Sequence, residues 1–181
     1  MVEIPVNIRI NPETNIILIG MPWSGKSSMG VVLAKLLARP FLDTDIVIQT
    51  GERRALQDII EQEGVDALRT IEERYILNLV CQRHVIATGG SVVYSSAAMN
   101  HLKQIGCCVY LQVPLPELEL RATGIEQRGL IRAPGQGLAE LYAERTPLYE
   151  HYADIVVHCS NMNQSQVLEK LLKQLQTKGQ G

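Results

Sequence analysis

The chain has 181 residues, 46% of them hydrophobic, and a formal net charge of −2. That length accommodates one domain with a substantial core, residues 1–181, and the balance of charge and apolar content excludes a disordered acidic chain or a strongly basic nucleic-acid binder. No segment reaches the roughly 18 apolar residues of a membrane helix and no basic region precedes a long apolar run, so a cytoplasmic monomer with no membrane or nucleic-acid partner is expected.

Apolar β-branched runs alternate with amphipathic stretches along the chain. NIILIG (15–20) reads as a strand and KSSMGVVLAKLLA (26–38) as a helix, with a glycine-bearing loop between them. A short strand FLDTD (41–45) follows, then helical segments over about 53–63 and 65–80 broken at Gly64. HVIATGG (84–90) reads as a buried strand ending in glycines, 95–104 as helical, CCVYLQV (107–113) as a strand and LPELELRA (115–122) as a helix. Residues 124–137 carry four glycines and two arginines without periodicity, the mark of a lid or binding loop, taken with its flank as about 121–137. A helix over about 138–146, a strand DIVVHC (154–159) and an amphipathic helix QSQVLEKLLKQLQ complete the chain. Strands alternating with helices imply an α/β fold: a parallel sheet with helices on both faces and ligands at the carboxyl ends of the strands.

The four cysteines, Cys81, Cys107, Cys108 and Cys159, lack paired spacing, so burial as small apolar residues is expected and no metal or disulfide role.

The stretch GMPWSGKSS (20–28) fits G-x-x-x-x-G-K-[ST] between a strand and a helix, the context a phosphate-binding loop requires. Backbone amides and the helix dipole would hold phosphates. Lys26 would reach the β and γ groups, and the Ser27 hydroxyl would coordinate magnesium. Gly20, Pro22, Trp23, Ser24, Gly25, Lys26, Ser27 and Ser28 are thus candidate ATP contacts. Three more constellations carry chemistry. Asp43 and Asp45 stand two apart at a strand end, suited to metal support and to an acceptor hydroxyl, although an aspartate capping the next helix is the plainer reading of Asp45. Arg69 and Glu72 share a helix face, as a surface ion pair or a functional one. Gly89 and Gly90 end a buried strand, as a plain turn or as open amides for a ligand.

Together these residues resemble the shikimate kinases. GMPWSGKSS, FLDTD, LRTIE, TGGS, RGLI and ERTPLYEHYADIVV occur in the family's order at compatible spacing, over residues 15 to 172. The resemblance implies a three-layer α/β/α P-loop kinase fold with a five-stranded parallel sheet and a mobile lid. It implies transfer of the ATP γ-phosphate to the 3-hydroxyl of shikimate in the chorismate pathway, with Mg2+ as cofactor. It implies that Asp43 supports the metal, Asp45 engages the hydroxyl, Arg69 and Arg145 clamp the carboxylate, Glu72 holds Arg69, and the amides near Gly89 and Gly90 touch ring hydroxyls. Arg128 of the lid would close over the transferring phosphate, and Arg121 would lie against the adenine, with no obvious partner for it in the loop 159–166.

The chain departs from the family pattern mostly on the acceptor side. Ile60 and Leu68 stand where aromatic pocket walls are usual, Ser91 replaces the third glycine of TGGG, and Gly129 replaces a lid proline. A related hydroxylated carboxylic acid as acceptor, or a nucleotide-binding module without turnover, are the alternatives. Trp23, the only tryptophan, either packs for its own sake or, in an ordinary backbone conformation, turns its indole toward the acceptor and restores the lost aromatic surface.

Overall fold

The structure, a computed structural model, describes residue 11 and residues 13–123 and 136–177. Its centre is a parallel sheet of five strands in the order β2-β3-β1-β4-β5. The strands are β1 (Asn15–Ile19), β2 (Phe41–Asp43), β3 (Val85–Ala87), β4 (Gly106–Gln112) and β5 (Ile155–His158). All pairings are parallel, with Leu18 registered against Ala87 on one side and Val109 on the other.

The helices are α1 (Lys26–Leu37), α2 (Thr44–Glu52), α3 (Leu56–Glu63), α4 (Val65–Leu77), α5 (Ser96–Ile105), α6 (Leu115–Ala122), α7 (Leu138–Tyr152) and α8 (Gln164–Thr177). They cover the sheet as the expected three-layer α/β/α arrangement. Ile16, Ile17, Leu18 and Ile19 are fully buried, each contributing about 1.5–3 kcal/mol by burial, which is why a run of β-branched residues makes the central strand. Cys107 and Cys108 lie buried in β4, as small apolar residues do.

A second, smaller core joins α2, α3 and α4 beside the sheet edge: Ile48, Leu56, Ile59, Leu68 and Ile71, with Ile60 packed against them. Leu68 is only 1% exposed. It therefore packs within this core rather than walling a ligand pocket.

Several expected boundaries move. FLDTD is not strand throughout: β2 stops at Asp43, whose carboxylate accepts the Asp45 amide at 3.0 Å and caps α2. The cap is Asp43 and not Asp45. The helix expected over 53–63 starts at Leu56 as α3, and α2, which ends at Glu52 with Arg53 in a left-handed conformation (φ 55), lies ahead of it where no helix was expected. The helix expected over 65–80 ends at Leu77, and the strand read from 84 to 90 is confined to Val85–Ala87. The helix expected to end near 146 runs through Pro147 to Tyr152, and a 3-10 turn at Val92–Tyr94 had no sequence signal. Arg121 belongs to the last turn of α6 and not to a loop. Residues 124–135, with Arg128 and Gly129 and so the greater part of the expected lid, lie outside the described residues.

Candidate active site

The carboxyl ends of β1, β2 and β3 form one rim, and the residues singled out above converge there. The loop after β1 turns into α1 through Gly25, the N-cap, at φ 91, a left-handed conformation that favours glycine. Lys26 is 8% exposed, and its Nζ donates to the carbonyls of Gly20 at 2.9 Å and Met21 at 2.8 Å. Burial lowers its pKa to about 8, against the opposing pull of the Asp45 charge. Ser24 Oγ is buried without a hydrogen-bond partner among the described residues, a donor facing the inside of the loop. Ser28 is exposed on the first turn of α1.

Ser27 Oγ donates to Asp43 Oδ2 at 2.6 Å, so the loop and the end of β2 meet directly. Asp45 sits one residue into α2, mostly buried, and its pKa rises to about 6, first through burial and then through Asp43. Both acids thus reach the rim, but by way of a strand end and a helix start rather than two positions of one strand.

The third group lies around the turn after β3. A Cβ on Gly89 would overlap Glu72 Oε1 and come within 3.0 Å of Asp45 Oδ1. Any larger residue there would have to displace the Glu72 carboxyl. A Cβ on Gly90 would approach Arg145 Nη1 and Pro22 Cδ, both at 3.0 Å, so Pro22 borders this side of the site. Tyr149, stacked on Tyr110 with ring centroids 5.0 Å apart, donates its hydroxyl to the Gly90 carbonyl at 2.6 Å. That contact gives the ERTPLY segment its place: α7 carries both Arg145, fully buried, and Tyr149 to the same turn.

Arg69 and Arg145 come together on Tyr94, with guanidinium carbons 4.4 Å and 5.0 Å from the ring centroid. Arg145 Nε also donates to the Tyr94 hydroxyl at 3.1 Å. Arg69, Glu72, Ser91 and Tyr94 line a cavity of about 250 Å³. Arg69 is not held by Glu72 as the resemblance implied; its ion pair is with Asp66 at 3.3 Å, one helical turn back. Glu72, 3% exposed, instead accepts the hydroxyl hydrogen of Ser91. Burial raises the Glu72 pKa to about 7, the Ser91 hydrogen bond acting in the opposite direction.

On the other side of the phosphate loop, Trp23, Arg121, Cys159, Met162 and Val167 line a cleft of about 500 Å³. Trp23 therefore borders the cleft that holds Arg121, and not the cavity of Arg69 and Tyr94. Its backbone is not ordinary either: φ is 61, an uncommon value for a bulky side chain. Arg121 Nη1 donates to the Trp23 carbonyl at 3.2 Å, and Glu117 ties Arg121 (3.5 Å) to the Asn161 amide (2.8 Å) across the cleft.

Sequence reasoning missed Tyr94 and Met162. Tyr94 follows the TGGS turn by three residues, and an aromatic so close to a functional turn was the available signal. Met162, from the loop 159–166, lines the same cleft as Arg121, but a lone methionine among polar residues carries no periodicity.

A family model described as Shikimate kinase matches residues 22–176. A shikimate kinase of Dechloromonas aromatica is 37% identical over 170 residues, 91% of this chain and 92% of that protein. One of Paracidovorax citrulli is 36% identical over 151 residues, 81% of this chain and 82% of the other. The solved shikimate kinase of Acinetobacter baumannii in complex with shikimate superposes with a TM-score of 0.82 at 30% identity, covering 93% of this chain and 96% of that one. With the family model spanning most of the chain and such relatives aligned along four-fifths of it or more, the chain belongs to the shikimate kinase family.

Proposed function

We propose that the protein transfers the γ-phosphoryl group of ATP to the 3-hydroxyl of shikimate. The observation that carries this reading is the pair of guanidiniums, Arg69 and Arg145, brought to the Tyr94 ring, with Arg145 against Gly90. Two forked cations suit a planar carboxylate, and Asp45 lies against Gly89, next to Gly90 in the same turn.

In this reading the amides of Gly20 to Ser28 and the Lys26 ammonium bind the triphosphate, Lys26 exchanging its contacts with the Gly20 and Met21 carbonyls for phosphate oxygens. The purine enters the cleft of Trp23, Arg121 and Met162. Ser27 and Asp43 fit Mg2+: a hydroxyl and a carboxylate already in contact are hard oxygen donors of the kind that ion takes, and they would hold it. When bound, the ion would neutralise charge on the phosphate oxygens. Asp45 orients the acceptor hydroxyl and takes its proton as its oxygen bonds to the γ-phosphorus and the bond from that phosphorus to the β-phosphate oxygen breaks, releasing ADP. Arg69, Arg145 and the amides near Gly89 and Gly90 fix the acceptor so that this hydroxyl faces the γ-phosphate. Arg128, assigned from the motif alone, neutralises the transferring group and excludes water.

A coupled ADP-release assay at saturating Mg·ATP tests the proposal with shikimate, quinate and gluconate in turn. Turnover with shikimate alone is the expected outcome. Turnover only with quinate or gluconate moves the acceptor to another hydroxylated acid, and tight ATP binding without any turnover leaves a nucleotide-binding module.

A further inference from the structure

Arg69 comes from α4 and Arg145 from α7. Two cations from different helices, drawn to one ring, repel each other, and Asp66 on Arg69 and the buried Glu72 near Arg145 offset part of that. Something must hold them together before any anion arrives. Tyr94 touches both: its ring lies 4.4 Å from one guanidinium carbon and 5.0 Å from the other, and its hydroxyl accepts from Arg145 Nε at 3.1 Å. The face of an aromatic ring attracts cations, so a ring shared by two guanidiniums offsets their repulsion without neutralising either charge. A carboxylate in the same place would cancel the charge an anionic substrate needs.

The ring is itself fixed from three directions. Val92 and Val93, at 1% and 2% exposure, anchor the 3-10 turn that presents it. The next residue, Ser95, caps α5 by accepting the Ala98 amide at 3.0 Å and donates to Glu73 Oε2 at 2.5 Å, tying the turn to α4. Arg69 Nε, on the cavity side of this arrangement, is a buried donor with no hydrogen-bond partner among the described residues. The cavity therefore presents cationic donors that no described side chain satisfies at that atom.

We propose that Tyr94 is a positioning residue that holds Arg69 and Arg145 side by side as a receptor for the carboxylate of the acceptor. The inference rests on the reading above that these two arginines bind that carboxylate. It also relocates the aromatic element of the acceptor site: Leu68 is core and Trp23 faces the other cleft, whereas Tyr94 stands in the cavity itself.

The test compares steady-state constants of the full-length wild type with Tyr94→Phe and Tyr94→Leu, using shikimate and its methyl ester as acceptors. Loss of the phenol alone in Tyr94→Phe should raise the shikimate KM about threefold, and loss of the ring in Tyr94→Leu about tenfold or more, with kcat and the ATP KM within about twofold of wild type. For the methyl ester, which offers no carboxylate, wild type and Tyr94→Leu should give the same KM. Equal shikimate KM in all three proteins overturns the proposal, as does a parallel rise of the ATP KM, which would mark a general structural role. Should Tyr94→Leu not be recovered folded, Tyr94→Phe decides, and an unchanged shikimate KM there counts against it. Arg69→Lys and Arg145→Lys separate the two levels. If they leave the shikimate KM unchanged, the carboxylate reading itself fails; if they raise it while the Tyr94 variants do not, only the role of Tyr94 fails.

Discussion

Ser91 gives its hydroxyl hydrogen to Oε2 of Glu72, fastening the turn after β3 to α4 at a point where neither residue is exposed to more than 3%. Where the family pattern has a third glycine, this chain has a side chain that engages a buried carboxyl. The same carboxyl crowds Gly89, which also approaches Asp45, so the pair sits one residue from the candidate acceptor site.

Glu72 should leave a signature in stability against pH. Its pKa is raised, chiefly by burial, from 4.5 to about 7. Between those values the folded state keeps a proton that the unfolded state has released, so this contribution to stability is full below about pH 4.5 and is lost as pH rises through about 7. The melting temperature of the wild type should therefore fall relative to that of Glu72→Gln between pH 5 and pH 8. A difference that stays constant across that range would show that Glu72 does not hold its proton in the fold. In Ser91→Ala, which removes the hydrogen bond favouring the ionised form, the same loss should move to higher pH.

Asp45 carries the chemistry in the proposed reaction, and its ionised form is the one that accepts a proton. With its pKa raised to about 6, kcat/KM for the acceptor should drop as pH falls through about 6. Asp45→Asn should lower kcat by about 10²–10⁴-fold, the usual share of a positioned acid–base group, while leaving ADP affinity within about twofold by calorimetry. A variant retaining more than about a tenth of the activity would remove that role from Asp45.

Lys26 must be charged to attract phosphates, and burial brings its pKa down to about 8. ADP affinity measured by calorimetry should weaken from pH 7 to pH 9.5. Affinity that holds steady over this interval would mean that the phosphates keep the lysine protonated.

Trp23 pairs an uncommon backbone with a place at the cleft of Arg121 and Met162, where the purine is proposed to bind. A bulky residue at φ 61 costs about 1–3 kcal/mol, which Trp23→Gly relieves, and the same change deletes the indole wall. The variant should melt no lower than the wild type yet show an ATP KM raised about tenfold, equivalent to roughly 1.4 kcal/mol of lost contact. Indole fluorescence should respond to ADP and not to shikimate. A response to shikimate alone would return Trp23 to the acceptor side.

The phosphate loop, the order of strands and helices and the acids after β2 were legible in the sequence because each depends on local rules: glycine at a left-handed position, burial of β-branched runs, a helix opening behind a strand. GMPWSGKSS announces its chemistry within nine residues. The boundary inside FLDTD was not legible, since Asp43 both ends a strand and caps a helix, and a two-residue spacing reads alike in either.

Contacts between distant segments were beyond any pattern. Nothing in LRTIE says whether Arg69 meets Glu72 or Asp66, because both lie within reach on one helix face. Nothing in GMPWSGKSS tells on which side the indole falls, since that depends on α6 and the loop before α8 arriving beside it. The sequence by itself determined which groups this protein brings to its rim and, through the family resemblance, the chemistry they serve. Only the tertiary structure decided which of them touch. Tyr94 meets Arg69 and Arg145 across separations of 25 and 51 positions, a meeting made by the packing of α4, α7 and the turn after β3 and written in no local spacing.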